Sequence, residues 1–110
     1  PVIRKNNEMN FYCWSSKDIL KINKFGIPEP EENKLIYPDI LLVPLVAFDN
    51  NLYRLGYGGG YYDRYIKKLI NKKKFLSIGL AASYQKIKKI PFNKHDMRLD
   101  VIFTEKYILT

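Results

Sequence analysis

From residue 38 onward the apolar and polar positions fall into a regular order. Ile40-Leu41-Leu42-Val43 is an unbroken aliphatic run between Pro38-Asp39 and Pro44, which predicts a strand buried on both faces, as in a parallel sheet. The polar Asp49-Asn50-Asn51 predicts a turn, after which Leu52-Tyr53-Arg54-Leu55 returns as a short edge hairpin. Beyond a glycine-rich stretch, Tyr62, Ile66, Leu69 and Ile70 stand at i, i+4, i+7 and i+8. That spacing predicts a helix running to about Asn71, with lysines on its other side. Phe75 to Leu80 predicts a second interior strand and Val101 to Thr104 a third. Strand, glycine loop, helix, strand is an α/β order.

The first 38 residues lack such periodicity, and the two halves meet near Asp39. A short strand is expected from Asn10 to Trp14. In Phe25-Gly26-Ile27-Pro28-Glu29-Pro30-Glu31-Glu32 two close prolines exclude a helix and most strand pairing, which predicts an extended segment crossing a surface or lining a cleft.

Composition narrows the class. Of 110 residues, 46% are hydrophobic, so the chain is globular rather than disordered. The longest apolar stretch, Ile40 to Phe48, contains Pro44 and falls far short of the roughly 20 residues that span a bilayer. Pro1-Val2-Ile3-Arg4-Lys5 has none of the features of a secretory signal, and a cytoplasmic setting is expected. Cys13 is the single cysteine, which excludes an internal disulfide or thiolate metal cluster and predicts a small buried hydrophobe.

The net charge of +8 is unevenly placed. Residues 1–50 hold 6 basic and 7 acidic side chains, and residues 51–110 hold 13 and 4. An excess confined to one half favours an anionic partner: nucleotide, polyglutamate or nucleic acid. Lys67, Lys68, Lys72, Lys73 and Lys74 also fit a plainly solvated helix face.

The chemistry centres on Arg54-Leu55-Gly56-Tyr57-Gly58-Gly59-Gly60-Tyr61-Tyr62-Asp63-Arg64. Four glycines in five positions allow positive φ and close backbone approach to a ligand. Where such a loop opens a helix, its N–H groups and the helix dipole together make an anion site. Arg54 and Arg64 frame it, and a guanidinium holds phosphate oxygens in a fork. Asp63 is a hard oxygen ligand suited to a Mg2+ that bridges phosphates. The same residues also fit a tight turn and an aspartate that complements a helix dipole. Neither the P-loop nor the dinucleotide-binding spacing is present.

Pro38 to Asp49, continued through Arg54 to Asp63, closely resembles the signature of the 5-formyltetrahydrofolate cyclo-ligase family. Phe25-Gly26-Ile27-Pro28-Glu29-Pro30 upstream and His95-Asp96-Met97-Arg98-Leu99-Asp100 downstream add two ordered matches. The resemblance extends over essentially the whole chain. It implies one α/β domain over residues 1–110, with a mostly parallel sheet and flanking helices, Rossmann-like in the manner of the NagB/RpiA/CoA-transferase-like folds and lacking its N-terminal part. It also implies conversion of 5-formyltetrahydrofolate to 5,10-methenyltetrahydrofolate, with ATP and Mg2+ as cofactors and phosphorylation of the formyl oxygen as the activating step.

By the same resemblance, Arg54, Leu55, Gly56, Tyr57, Gly58, Gly59, Gly60, Tyr61 and Tyr62 hold ATP. Tyr57, Gly58, Gly59, Gly60 and Tyr61 also border the folate, and Phe25 stacks on it. Arg54 and Tyr61 serve the chemical step, and Asp63 and Asp96 share the Mg2+. Asp100 is expected to be structural, and His95 stays outside the catalytic set. The implied partners are 5-formyltetrahydrofolate and ATP, without a membrane, and the chain is a monomer or an oligomer of a kind the sequence does not specify. Two other readings stand beside this one: a non-catalytic fragment or remnant that keeps nucleotide binding, and a small basic nucleic-acid-binding protein, which the charge favours and the motifs do not.

Overall fold

A computed structural model describes residues 1–110. The chain divides into two compact units, Pro1–Pro38 and Asp39–Thr110, with the seam where the sequence pattern changes. No helix is long and apolar enough to cross a membrane.

In the first unit, β1 (Val2–Ile3) pairs antiparallel with β2 (Met9–Tyr12). Next, β3 (Leu20–Ile22) pairs antiparallel with β4 (Pro28–Pro30), and β5 (Leu35–Ile36) closes on β2. The pairing of β4 corrects the expectation that the two prolines exclude it. Asn23 N donates to Ile27 O at 3.0 Å, which sets the ladder's parity. In the register Ile22 opposite Pro28, Lys21 opposite Glu29 and Leu20 opposite Pro30, the hydrogen-bonded position falls on Glu29. Both proline nitrogens then point away from β3, where no donor is needed.

A second correction concerns Cys13, which is exposed. Its backbone N–H continues the ladder to Lys34 O at 2.9 Å, so the backbone is held while the thiol faces solvent.

The second unit is built on β6 (Ile40–Val43), β7 (Ala47–Phe48), β8 (Arg54–Leu55), α1 (Tyr61–Ile70), β9 (Leu76–Leu80), β10 (Val101–Phe103) and β11 (Ile108–Leu109). The sheet order is β11-β10-β9-β6, with β6, β9 and β10 mutually parallel and β11 antiparallel. The three expected strands are therefore present, β9 and β10 as interior strands, with β11 as an unforeseen addition. The hairpin at Leu52–Leu55 also forms, as β7 paired with β8 through Phe48 opposite Arg54. The expected flanking helices reduce to one α-helix and a single 3-10 turn at Ser83–Gln85, so the sheet is mixed with little helix.

Two further expectations change. β6 is an edge strand whose Leu41 and Val43 are buried while Ile40 and Leu42 are exposed. It is covered on one face, not two, although its composition matches that of an interior strand. On α1 the buried residues are Tyr65, Ile66 and Leu69, and Ile70 is exposed. Tyr65 falls beside Ile66 and Leu69 in the apolar stripe, and Ile70, the helix's last residue, lies at its margin. Full burial of side chains such as Ile66 and Leu69 contributes about 1.5–3 kcal/mol each. Lys67 and Lys68 occupy the exposed side, as the pattern predicts.

Three polar fastenings set the loops around the sheet. Lys73 pairs with Asp39 at the start of β6. Asp100 accepts from Ser77 N at 2.8 Å and Ser77 Oγ at 3.0 Å, in the structural role expected of it. Asp49, 1% exposed, accepts from Asn51 N, Tyr53 N and Ile90 N at 2.9, 3.2 and 2.9 Å. It thereby fixes both the β7–β8 turn and the later loop that crosses it.

Candidate functional site: a glycine loop at a helix N-terminus

β8 delivers the chain into the glycine loop, and the loop opens directly into α1. Gly58 and Gly60 have φ of 95° and 70°, in the left-handed region that side chains disfavour. Gly60 is the N-cap residue of α1 and supplies no side-chain cap. The N–H groups of the first turn are therefore not taken by a capping side chain, and the positive end of the helix dipole faces the loop. The space above Gly58 is open, with no heavy atom within 4 Å of where a Cβ would stand.

The two arginines take different positions. The Arg54 side chain is only 6% exposed, and its guanidinium stands 3.4 Å from Asp63 Oδ1. One of its terminal nitrogens donates to Pro44 O at 3.2 Å, while its buried Nε has no hydrogen-bond partner. Such an orphaned donor on a buried cation is costly and marks a place for an acceptor. Arg64 folds back onto the loop, donating to Gly59 O at 2.9 Å and lying 5.0 Å from the centre of the Tyr61 ring. It braces the loop from the helix side. Burial pushes the Tyr62 hydroxyl pKa upward, and the nearby Arg54 charge offsets part of that rise.

Asp63 joins the helix to the loop that carries Asp96. Its Oδ1 accepts from Met97 N at 3.1 Å, one residue beyond Asp96. Asp96 itself accepts from Asn93 N through Oδ2 at 3.1 Å. Each carboxylate thus commits one oxygen to the protein and retains another. No group of three or more His, Cys, Asp or Glu gathers anywhere in the chain. A magnesium ion held here would complete its shell with phosphate and water oxygens, which suits that ion's preference for one or two carboxylates plus phosphate. The residues present therefore fit a magnesium-bound polyphosphate.

Of the remaining predicted residues, Tyr57 is 82% exposed at the top of the loop and Leu55 is 43% exposed beside it. Phe25 lies in the first unit, in the turn between β3 and β4, where its backbone N–H is held by Asn23 Oδ1 at 2.9 Å. Its ring is exposed, with Lys24 Nζ 5.2 Å from the centroid, so Phe25 is not a core residue. His95 is exposed in the 93–96 turn. The backbone partners Pro44 O and Met97 N–H carry no sequence signal, because every residue supplies the carbonyl and every residue but proline the N–H.

Residues 1–105 match the family model described as the 5-formyltetrahydrofolate cyclo-ligase family. The 5-formyltetrahydrofolate cyclo-ligase of Haemophilus influenzae is 44% identical over 85 residues, which are 73% of this chain and 45% of that protein. The Escherichia coli protein of the same name is 36% identical over 99 residues, 86% of this chain and 54% of its own length. Among solved structures, Aquifex aeolicus 5,10-methenyltetrahydrofolate synthetase superposes with a TM-score of 0.67 at 41% identity. That match covers 86% of this chain and 48% of the other. The chain thus spans about half the length of the relatives it matches. With the glycine loop, the arginine and the two aspartates all inside the matched span, this chain belongs to the 5-formyltetrahydrofolate cyclo-ligase family.

Proposed function

We propose that this chain forms the Mg-ATP-binding part of a 5-formyltetrahydrofolate cyclo-ligase, the activity that converts 5-formyltetrahydrofolate to 5,10-methenyltetrahydrofolate. The observation that carries this reading is the uncapped N-terminus of α1 behind the open Gly58, with the buried guanidinium of Arg54 and its unpartnered Nε alongside.

A formamide carbonyl is a poor electrophile because its nitrogen donates into it. ATP supplies the phosphoryl group that makes the formyl oxygen a leaving group, so that the neighbouring folate nitrogen closes the ring. Chemistry of this kind asks the protein for positioning and charge neutralisation more than for a nucleophile. In this reading the loop from Arg54 to Tyr62 holds the phosphates, and Arg54 and Tyr61 face the transferring group. Asp63 and Asp96 hold the Mg2+. Tyr57 to Tyr61 border the folate, and Phe25 stacks on its flat ring.

A second reading has a specific observation behind it: the match to only about half of each relative's length favours a chain that binds nucleotide without turning over alone. Titration calorimetry separates binding from chemistry. The chain is expected to bind Mg-ATP, and Asp63→Asn to weaken that binding by roughly tenfold, with its circular dichroism unchanged. Equal binding by variant and parent removes Asp63 from the metal site. Methenyl product, followed by its near-ultraviolet absorbance, is expected only with ATP and Mg2+ both present. A chain that binds Mg-ATP yet forms no product supports the second reading, and one that binds no Mg-ATP overturns both.

A further inference from the structure

Residues 91–98 run without helix or strand between two anchors. Before them, Ile90 N donates to Asp49 Oδ2 at 2.9 Å; after them, Leu99 N donates to Leu52 O at 2.9 Å. At their centre is a turn closed on itself. Asp96 Oδ2 accepts from Asn93 N at 3.1 Å, Asp96 N donates to Asn93 O at 3.2 Å, and His95 N donates to Asn93 Oδ1 at 2.8 Å. These bonds shape the turn but do not fix where it stands on the protein, because each begins and ends inside it.

The residues flanking the turn supply that placement. Phe92 immediately precedes it, and its ring stacks on Tyr53 with centroids 4.0 Å apart and planes 5° from parallel. Arg98 lies just beyond it, with its guanidinium carbon over the same Tyr53 ring, 5.9 Å from the centre, and its Nε donating to Asn51 O at 2.8 Å. Tyr53 is a firm base for both. Its N–H donates to Asp49 Oδ1 at 3.2 Å, its carbonyl accepts from Asp49 N at 3.1 Å, and it directly precedes Arg54. Stacked rings and a cation over a ring fix orientation as well as distance, and here both ends of one loop converge on one side chain. The Met97 N–H bond to Asp63 also ties this loop to α1. That bond, however, uses the carboxylate assigned to the metal, whereas the contacts on Tyr53 are independent of it.

We propose that Tyr53, Phe92 and Arg98 are positioning residues for magnesium, clamping the 91–98 loop so that Asp96 is presented beside Asp63. The inference rests on the reading that Asp96 holds the ion. The three residues act through Asp96 and not on the ion itself, as groups that orient a metal ligand do.

Calorimetry with ATP in EDTA and with Mg-ATP measures the gain in affinity that magnesium confers. Tyr53→Leu and Phe92→Leu keep apolar bulk and lose the flat contact. Each should reduce that gain about three- to tenfold, the range of one aromatic pair, with ATP in EDTA bound as by the parent. Tyr53→Phe keeps the ring and should keep the gain. Asp96→Asn should lower the gain, and adding Phe92→Leu to it should lower it no further. Phe92 is 50% exposed, so its variant carries the test if Tyr53→Leu fails to fold. Equal weakening of ATP with and without the metal marks a purely structural stack and overturns the inference, as does a further loss in the Asp96→Asn background. If Asp96→Asn leaves the gain unchanged, the metal assignment of Asp96 falls and the inference with it. A gain that responds to Asp96→Asn but not to Phe92→Leu overturns the clamp alone.

Discussion

Asp49→Ala is expected to cost about 3–5 kcal/mol of folding stability, measured as a fall in the urea midpoint at unchanged slope. The carboxylate is 1% exposed and accepts three backbone N–H groups. Asn51 lies at the surface, and its N–H finds water when the carboxylate is gone. The Ile90 N–H is in a buried bond that links residues 41 apart, and Tyr53 is half-buried, so those two donors lose their partner without replacement. The same turn holds Leu52 at a φ of 69°, a conformation that costs a non-glycine residue about 1–2 kcal/mol and depends on its surroundings to persist. Asp49→Asn retains one acceptor and should cost about half as much. A loss under about 1 kcal/mol for the alanine variant would mean that Asp49 is not the fastening between hairpin and loop.

For Arg54→Ala, Mg-ATP affinity is expected to fall roughly 10- to 100-fold, the range of one charge-assisted contact to phosphate. Arg54→Lys should recover only part of it, because an ammonium has the charge but not the planar fork that reaches Asp63 and Pro44 O together. The structural cost of the alanine variant is smaller than for a fully buried pair. Asp63 is 20% exposed, so solvent screens the carboxylate left behind, and a loss of about 1–2 kcal/mol is expected. Arg64→Ala should weaken binding less, since that side chain bonds the loop's own Gly59 O. If Arg54→Ala binds Mg-ATP within twofold of the parent, the buried guanidinium is a strut for Asp63 and not a phosphate ligand.

The legible parts of the chain share one property: their signal is local. The glycine loop opening α1 follows from the residue types, because φ values of 95° and 70° at Gly58 and Gly60 cost glycine no steric penalty and are disfavoured for other residues. The Asp49 turn and the β7–β8 hairpin were readable in the same way, as was the structural role of Asp100 beside Ser77. The misreadings came from positions whose outcome depends on distant chain. Pro28 and Pro30 pair with β3 because parity puts Glu29 at the bonded position, and parity is a property of two strands, not of one. Cys13 has the neighbours of a buried residue and faces solvent.

Sequence by itself determined the α/β order of the second unit, the glycine loop that opens α1 and the residues that frame it, because backbone conformation and side-chain chemistry travel with residue type. Only the tertiary structure decided that Arg54 is buried against Asp63, that Asp63 holds the Asp96 loop through Met97 N–H, and that β6 is covered on one face only. A run such as Ile40–Val43 carries enough apolar surface to be buried on both sides. Whether both sides are covered depends on where the connecting chain passes, which the run itself does not encode.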